Sequence, residues 1–343
     1  MNSNGKIRFV RVDGEAMSDR GRRAFIGAAA ATALGGFAAR LPAQTGDYPN
    51  RPVRMVIPFP PGGLSDALGR LYGKELADRF GQPFVPEHKP GAATNLGAAQ
   101  VAQAAPDGYT LLVTTIATNA LNRWSTRKLS FDPHAFTEIG MLGVNTLYLM
   151  VAADSPYRSV ADLVRAAKDS PKGLSYASFG AGGPNHLIAE KFRRAAGIPN
   201  LLHVPYKGAQ DASTDLIGGR IDFMIDGATI NLVDGGKLRA LAVCFPQRWP
   251  TQPSIPTMAE AGYPDVTIST YFGLAAPPGT PAPIADKLNE ALRAIAQRPD
   301  IQQRLLQLNV MAMPAGRAES LAFMRAQSDK WGPILQSLNI PTD

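Results

Sequence analysis

A single cysteine, Cys244, stands in 343 residues, so no intramolecular disulfide holds this chain together. It lies in the apolar run LRALAVCF, where it is most simply a small buried hydrophobe. Histidine is scarce as well. His88, His134, His186 and His203 fall in no ligand spacing, so no metal site is expected. Nucleotide signatures are missing: a Walker loop needs G-x-x-x-x-G-K-[ST], which neither Gly62-Gly63 nor Gly69 with Gly73-Lys74 supplies, and a dinucleotide loop would need glycine where Asn185 stands. No cofactor is expected. Charged residues make up only 18% of the chain, and no Lys/Arg block follows residue 43, which argues against a nucleic-acid partner.

What is present begins with a targeting segment. In SDRGRRAFIGAAAATALGGFAARLPAQ, Arg22-Arg23 precede a soft Ala/Gly-rich run, Ala24 to Ala39, too short for the roughly 20 apolar residues of a spanning helix. Residues 1–43 therefore read as a twin-arginine export signal, cleaved near Ala43, with Met1 or Met17 as its start. The segment carries seven Lys/Arg and three Asp/Glu, so the chain's net charge of +7 falls to +3 without it. The apparent basicity belongs largely to the signal.

From Tyr48 onward, short apolar runs alternate with helical spacing: strand 53–59, helix 64–80, strand 84–87, helix 96–105, strand 109–115. After strand 147–153 the alternation restarts with helix 160–168, strand 174–178, helix 186–196, strand 201–204, helix 209–217 and strands 223–225 and 238–245. A proline-rich connection and strand 266–275 follow, and beyond PPGTPAP the pattern predicts only helices: 284–296, 300–308 and 318–338. Two α/β lobes are implied, residues 44–149 with 270–343 and residues 150–269, the chain crossing near Met150 and returning near Thr270 so that the helical tail covers the first lobe. Each lobe holds a doubly wound mixed sheet, and the cleft between them is where open α/β sheets place a ligand.

Three strand-to-helix loops carry the candidate chemistry. In PFPPGGLSD, Pro61, Gly62 and Gly63 end a strand, and Ser65 or Asp66 can cap the helix that follows; such a helix start favours an anion. SYASFGAGGPNHL repeats the arrangement through Ser178, Gly180, Ala181, Gly182, Gly183 and His186, and Tyr206-Lys207-Gly208 forms a third turn, its lysine able to favour an anionic ligand or simply to be solvated. Asp226 ends a neighbouring strand, placed to accept a ligand ammonium or hydroxyl or a backbone N–H. An enzymatic alternative exists, a serine hydrolase using Ser178, His186 and Asp226. Tyr176 replaces the first glycine of G-x-S-x-G, however, and a histidine eight residues after the serine breaks the chain order of that hydrolase fold. An enzyme is therefore not expected.

Taken together, YPNRPVRMVIPFPPGGLSD, KPGAATNLGAAQVAQAAPDGYTLL, LSYASFGAGGPNHLIAEKF, HVPYKGAQDASTDLIGGRIDFM, GKLRALAV and PTMAEAGYPDVTISTYFGLAAPPGTP resemble, in order, the Bug-type substrate-binding proteins of tripartite tricarboxylate transporters. The resemblance implies a type II-like, two-lobed Venus-flytrap receptor in the periplasm, monomeric, that captures a small organic acid and hands it to membrane permease subunits. An adaptor presenting ligand to a sensor kinase would use the same residues. By motif position the ligand is expected at Pro61, Gly62, Gly63 and Asp66, at Ser178, Gly180, Gly182, Gly183 and His186, and at further walls from Thr114, Thr115, Thr118, Tyr206 and Lys207. Ala93-Thr94 stand where the family commonly has a glycine pair, which implies a stiffer loop whose hydroxyl, on Thr94, touches ligand, and Pro61 replaces a frequent alanine.

Overall fold

Two mixed sheets organise the chain in a computed structural model that describes residues 48–125 and 128–338. The expected export segment lies outside the described residues. In the first sheet β1 (Val53–Ile57) pairs in parallel with β2 (Phe84–His88) and β3 (Thr110–Thr115). Next to β3 runs β10 (Ser269–Ala276), antiparallel, then β4 (Thr137–Thr146) and the two-residue β11 (Val310–Met311), giving the order β11-β4-β10-β3-β1-β2. The second sheet has the order β7-β6-β8-β5-β9, from β5 (Tyr148–Ala152), β6 (Leu174–Ser178), β7 (Leu201–Pro205), β8 (Phe223–Asp226) and β9 (Leu238–Val243).

Helix α1 (Leu64–Phe80) shows how closely the layers fit. It starts after Gly63 and stops at Gly81, which takes the left-handed conformation at φ 69° that only glycine adopts without strain. Leu68, Leu71, Tyr72 and Leu76, at helical spacing, are buried, each contributing about 1.5–3 kcal/mol if fully removed from water. On the same helix a Cβ at Gly69 would lie 2.7 Å from Ile57 Cδ1, and one at Gly73 would lie 3.2 Å from the Phe84 carbonyl oxygen. Without side chains at both positions, α1 settles directly on β1 and β2.

The other α-helices among the described residues are α2 (Asn95–Ala102), α3 (Asn122–Ser125), α4 (Val160–Asp169), α5 (Pro184–Ala195), α6 (Ala209–Ile217), α7 (Asn231–Asp234), α8 (Ala282–Ala296), α9 (Pro299–Gln307) and α10 (Arg317–Ser337). Three expectations change. Strand β4 went unread because Gly140 and Gly143 interrupt its apolar alternation; in the fold their missing side chains leave room for Asn289 and Val310. The tail is not purely helical, since Val310–Met311 extends the sheet edge beside β4. Nor does the tail keep to one sheet: Arg194 of α5 donates to the Ser337 carbonyl oxygen at 2.8 Å, and the Lys191 ammonium lies 5.3 Å from the centre of the Trp331 ring.

The chain leaves the first sheet at Thr146 and enters the second at Tyr148, so one residue, Leu147, makes the outward crossing. The turn after β8 leans on that crossing. A Cβ at Gly227 would sit 2.1 Å from the Thr146 carbonyl oxygen, so the position admits glycine alone. Tyr148 Oη donates to Asn309 Oδ1 at 2.8 Å, and Asn309 Nδ2 donates to the Gly227 carbonyl oxygen at 3.3 Å, tying the crossing to the loop before β11. Cys244 is buried and free, and its backbone N–H donates to the Leu147 carbonyl oxygen.

Candidate functional site

Three helix starts converge on one cavity. Helices α1, α5 and α6 follow Gly63, Gly183 and Gly208, and none of these N-terminal positions carries a capping side chain. The first-turn N–H groups of a helix lack intrahelical acceptors and carry the positive end of its dipole. Gly63, Leu64 and Ser65, then Gly183, Pro184 and Asn185, then Gly208, Ala209, Gln210 and Asp211 all line a cavity of about 330 Å³. Thr115, Ile116 and Ala117 after β3, Asn145 and Leu147 at the crossing, and Thr270 to Phe272 at the start of β10 complete its floor, with Asp226 and Ala228 beside them. No lysine, arginine or histidine is among the lining residues.

The lips of the cleft meet at one side. Gln210 Nε2 donates to the Gly62 carbonyl oxygen at 3.0 Å, joining a loop of the first sheet to a helix start of the second. A Cβ at Gly180 would lie 3.5 Å from Ala93 Cβ, and one at Gly208 would lie 3.8 Å from Pro60 Cγ.

Of the residues expected at the site, Pro61, Gly63, Ser65, Thr94, Thr115, Gly183 and Asp226 line the cavity, and the others lie outside its lining. Gly62, at φ 87°, donates its N–H to Asp66 Oδ2 at 3.0 Å. Asp66 also pairs with Arg70 and His88, each at 2.8 Å. Burial pushes the Asp66 carboxyl up, but the bonds from Gly62, Arg70 and His88 outweigh it and hold the group below its ordinary range, as an ionised brace for the loop. Thr114 and Thr115 point to opposite faces of β3, as strand geometry requires. Thr115 meets the cavity, whereas Thr114 Oγ1 lies 2.8 Å from where a Cβ at Gly273 would be. Thr118 sits one layer back, its Oγ1 3.0 Å from Thr94 Oγ1.

In the second loop Gly180 and Gly182 take left-handed φ values of 123° and 72°, and the side chains around them serve the loop itself. Gly182 N–H donates to His186 Nδ1 at 3.2 Å, and the His186 ring stacks on His203 at 3.9 Å. Burial, with His203 beside it, pulls His186 down to about 3, so it stays neutral and able to accept. Ser178 Oγ lies 2.5 Å from His203 Nε2 and accepts from Gly180 N–H. Ala181 stays outside the lining. Tyr206 Oη donates to Asp215 at 2.9 Å, and Lys207 is exposed; neither lines the cavity.

The hydrolase constellation is not assembled. Ser178 meets His203 rather than His186, and Asp226 Oδ2 accepts from Thr229 N–H at 3.0 Å and Thr229 Oγ1 at 2.9 Å. Burial raises the Asp226 carboxyl, and the backbone donors of its own turn partly offset this. Among the described residues no group of three or more His, Cys, Asp or Glu could hold a metal ion.

Residues 92–94 carry strain beside the cavity. Ala92, Ala93 and Thr94 all have positive φ, at 47°, 49° and 81°, a region that L side chains rarely adopt. Asn122 holds them there, donating from Nδ2 to the Ala93 carbonyl oxygen at 2.7 Å and lying 3.2 Å from Thr94 Oγ1.

Asn145, Leu147 and Thr270 to Phe272 were missed by sequence reasoning, because they reach the cavity only through the pairing of β4 with β10. The start of α6 carries a legible signal, since Gly208 precedes a helical pattern as Gly63 and Gly183 do, whereas Tyr206 and Lys207 just before it do not line the cavity.

Two lobes closed over a cavity at the ends of their strands define a solute-binding protein of the periplasmic type. The model of the tripartite tricarboxylate transporter family receptor matches residues 68–340, and the chain belongs to that family of substrate-binding receptors. It is 31% identical over 319 residues to Protein BugT of Bordetella pertussis, covering 91% of this chain and 96% of BugT. Among solved structures it is similar to R. palustris Rpa4515 with adipate, at a TM-score of 0.83 and 32% identity, covering 85% of this chain and 99% of that one. It is also similar to MatC of Rhodopseudomonas palustris with bound malate, at a TM-score of 0.79 and 29% identity over 84% of this chain and 100% of MatC. No helix among the described residues is long and apolar enough to cross a membrane.

Proposed function

We propose that this protein is a periplasmic receptor, exported by its twin-arginine signal, that closes on one small carboxylate and delivers it to the permease of a tripartite transporter. The carrying observation is the convergence of three uncapped helix starts on one cavity that no basic side chain lines. Backbone N–H groups at helix starts suit an anion without a cationic partner. The Ser65 hydroxyl adds a neutral donor in the first turn of α1. Similar proteins bind adipate and malate, which supports a carboxylate here.

Residues 44–146 with 270–343 form one lobe in this reading and 148–269 the other, the expected boundary at 149/150 moving to Leu147 because β5 starts at Tyr148, with Leu147 and the approach to β10 as the hinge. Asp66, His186, Ser178 and Thr118 hold the binding loops in shape, whereas the backbone N–H groups of residues 63–65, 185 and 208–211 meet the ligand, since Pro184 has none and Gly183 donates to the Gly180 carbonyl oxygen. The protein acts as a monomer. Thermal unfolding against a panel of mono- and dicarboxylates tests the reading, since a ligand at 100 times its Kd adds about 2.7 kcal/mol to stability. Acids are expected to raise the Tm and their amides to leave it unchanged; a panel without any acid-dependent rise overturns the proposal. For the export route, Arg22-Arg23→Lys-Lys is expected to keep the chain in the cytoplasm, and normal periplasmic accumulation would refute it.

A further inference from the structure

We infer that the acid this cavity selects is a monocarboxylate with an apolar body, an alkane- or arene-carboxylic acid, in preference to a di- or tricarboxylate. The inference rests on the carboxylate reading above and adds which carboxylate fits.

The charges of the lining argue first. It contains two acidic side chains, Asp211 and Asp226, and no basic one. One carboxylate can be met by the helix starts. A second, elsewhere in the same cavity, would have no basic side chain to pair with, which buried charges do not tolerate.

The polar side chains argue next, because most are already committed within the protein. Thr94 Oγ1 is taken by Thr118 and Asn122, Asn185 Nδ2 donates to the Ile225 carbonyl oxygen at 2.6 Å, and Gln210 Nε2 closes the lip. Asp226 is held by Thr229, and Thr270 Oγ1 donates to Asn145 Oδ1. The uncommitted side-chain donors, Ser65 Oγ and Asn145 Nδ2, are both neutral. They can orient a carboxylate, a hydroxyl or a carbonyl, but neither compensates a second negative charge.

The walls give the positive part of the argument. Phe59 and Leu64 on one side, Phe179 on the other, and Ile116, Leu147 and Phe272 beneath enclose the remaining space with hydrocarbon. At about 330 Å³ the cavity lies near the small end of the roughly 300–1,000 Å³ range of ligand sites. Such a space rewards apolar surface, and each added buried methylene is expected to tighten binding roughly fourfold until the cavity is full.

Titration calorimetry on the purified protein tests this with butanoate, pentanoate, hexanoate, phenylacetate, adipate, malate and hexanamide. Hexanoate and adipate have equal carbon number and differ in the second carboxylate. The expected result is a stepwise tightening from butanoate to hexanoate, with hexanoate at least tenfold tighter than adipate or malate and hexanamide not bound. Adipate or malate binding as tightly as hexanoate, or no dependence on chain length, overturns the monocarboxylate inference and leaves the carboxylate reading standing. If no acid binds, or hexanamide matches hexanoate, the carboxylate reading falls and the inference with it.

Discussion

Gln210 and Gly62 join the two lobes directly, the side-chain amide of one donating to the backbone carbonyl of the other at 3.0 Å. Gln210 stands in the first turn of α6, beside backbone groups that face the cavity, so the residue that shuts the lip belongs to an element that meets the ligand. A neutral hydrogen bond of this kind contributes about 0.5–1.5 kcal/mol net. Gln210→Ala is therefore expected to speed ligand dissociation by roughly 2- to 13-fold, with a smaller change in association, as read by stopped-flow fluorescence. An unchanged dissociation rate would show that the latch is incidental to closure.

The strained loop beside the cavity offers a gain in stability. Ala93, at φ 49°, occupies backbone space that costs an L residue roughly 1–2 kcal/mol and glycine nothing. Ala93→Gly relieves that cost but frees the unfolded chain by about 0.5–1 kcal/mol, so a net stabilisation of up to about 1 kcal/mol is expected in urea unfolding. The same change removes the methyl group that the Ala93 lip presents toward Gly180, so affinity is expected to fall while stability rises.

Glu138 makes the protein sensitive to alkali. Its carboxyl is fully buried, accepts from Asn119 Nδ2 at 3.1 Å through Oε1, and leaves Oε2 without a partner among the described residues. Burial pushes it up to about 8, against opposing contributions from Arg317 and Asn119. Arg317 is otherwise engaged, donating from Nε to the Glu138 carbonyl oxygen and pairing with Asp286. Because the folded state holds this proton after the unfolded state has lost it, the contribution is fully present below about 4.5 and is lost as pH rises toward 8. At about 1.36 kcal/mol per pH unit the loss is on the order of 5 kcal/mol. Glu138→Gln keeps the acceptor for Asn119 and cannot ionise. Urea unfolding of the two proteins is expected to give a difference favouring the variant that grows from pH 4.5 to 8, and a constant difference would refute the assignment.

Cys244 provides a probe of opening. Burial pushes its thiol far above the ordinary range, and no surface of it reaches solvent. A thiol reagent at pH 8 is expected to label the native protein no faster than it unfolds, and fast labelling of the folded protein would contradict the burial.

Much of this was legible because the local signals were strong. In α1, α4 and α6 apolar residues recur at helical spacing, and glycine or serine marks where each helix begins, so sequence and structure agree to within a residue or two. Strand β4 was not legible, because Gly140 and Gly143 erase its period-2 pattern and only β10 and β11 on either side reveal it as a strand. The two threonines of β3 mark the limit. Sequence placed Thr114 and Thr115 together at the strand end, and strand geometry sends only Thr115 to the cavity.

The sequence by itself determined the glycine-rich helix starts, because such turns need particular residues at particular backbone angles, and those starts can attract an anion wherever they lie. Only the tertiary structure decided that three of them face one cavity, that the Leu147 crossing and the start of β10 form its floor, and that hydrocarbon fills its walls. The reason is that convergence depends on pairing between segments more than a hundred residues apart, β10 with β3 and β4, and no local pattern encodes which faces those pairings will bring together.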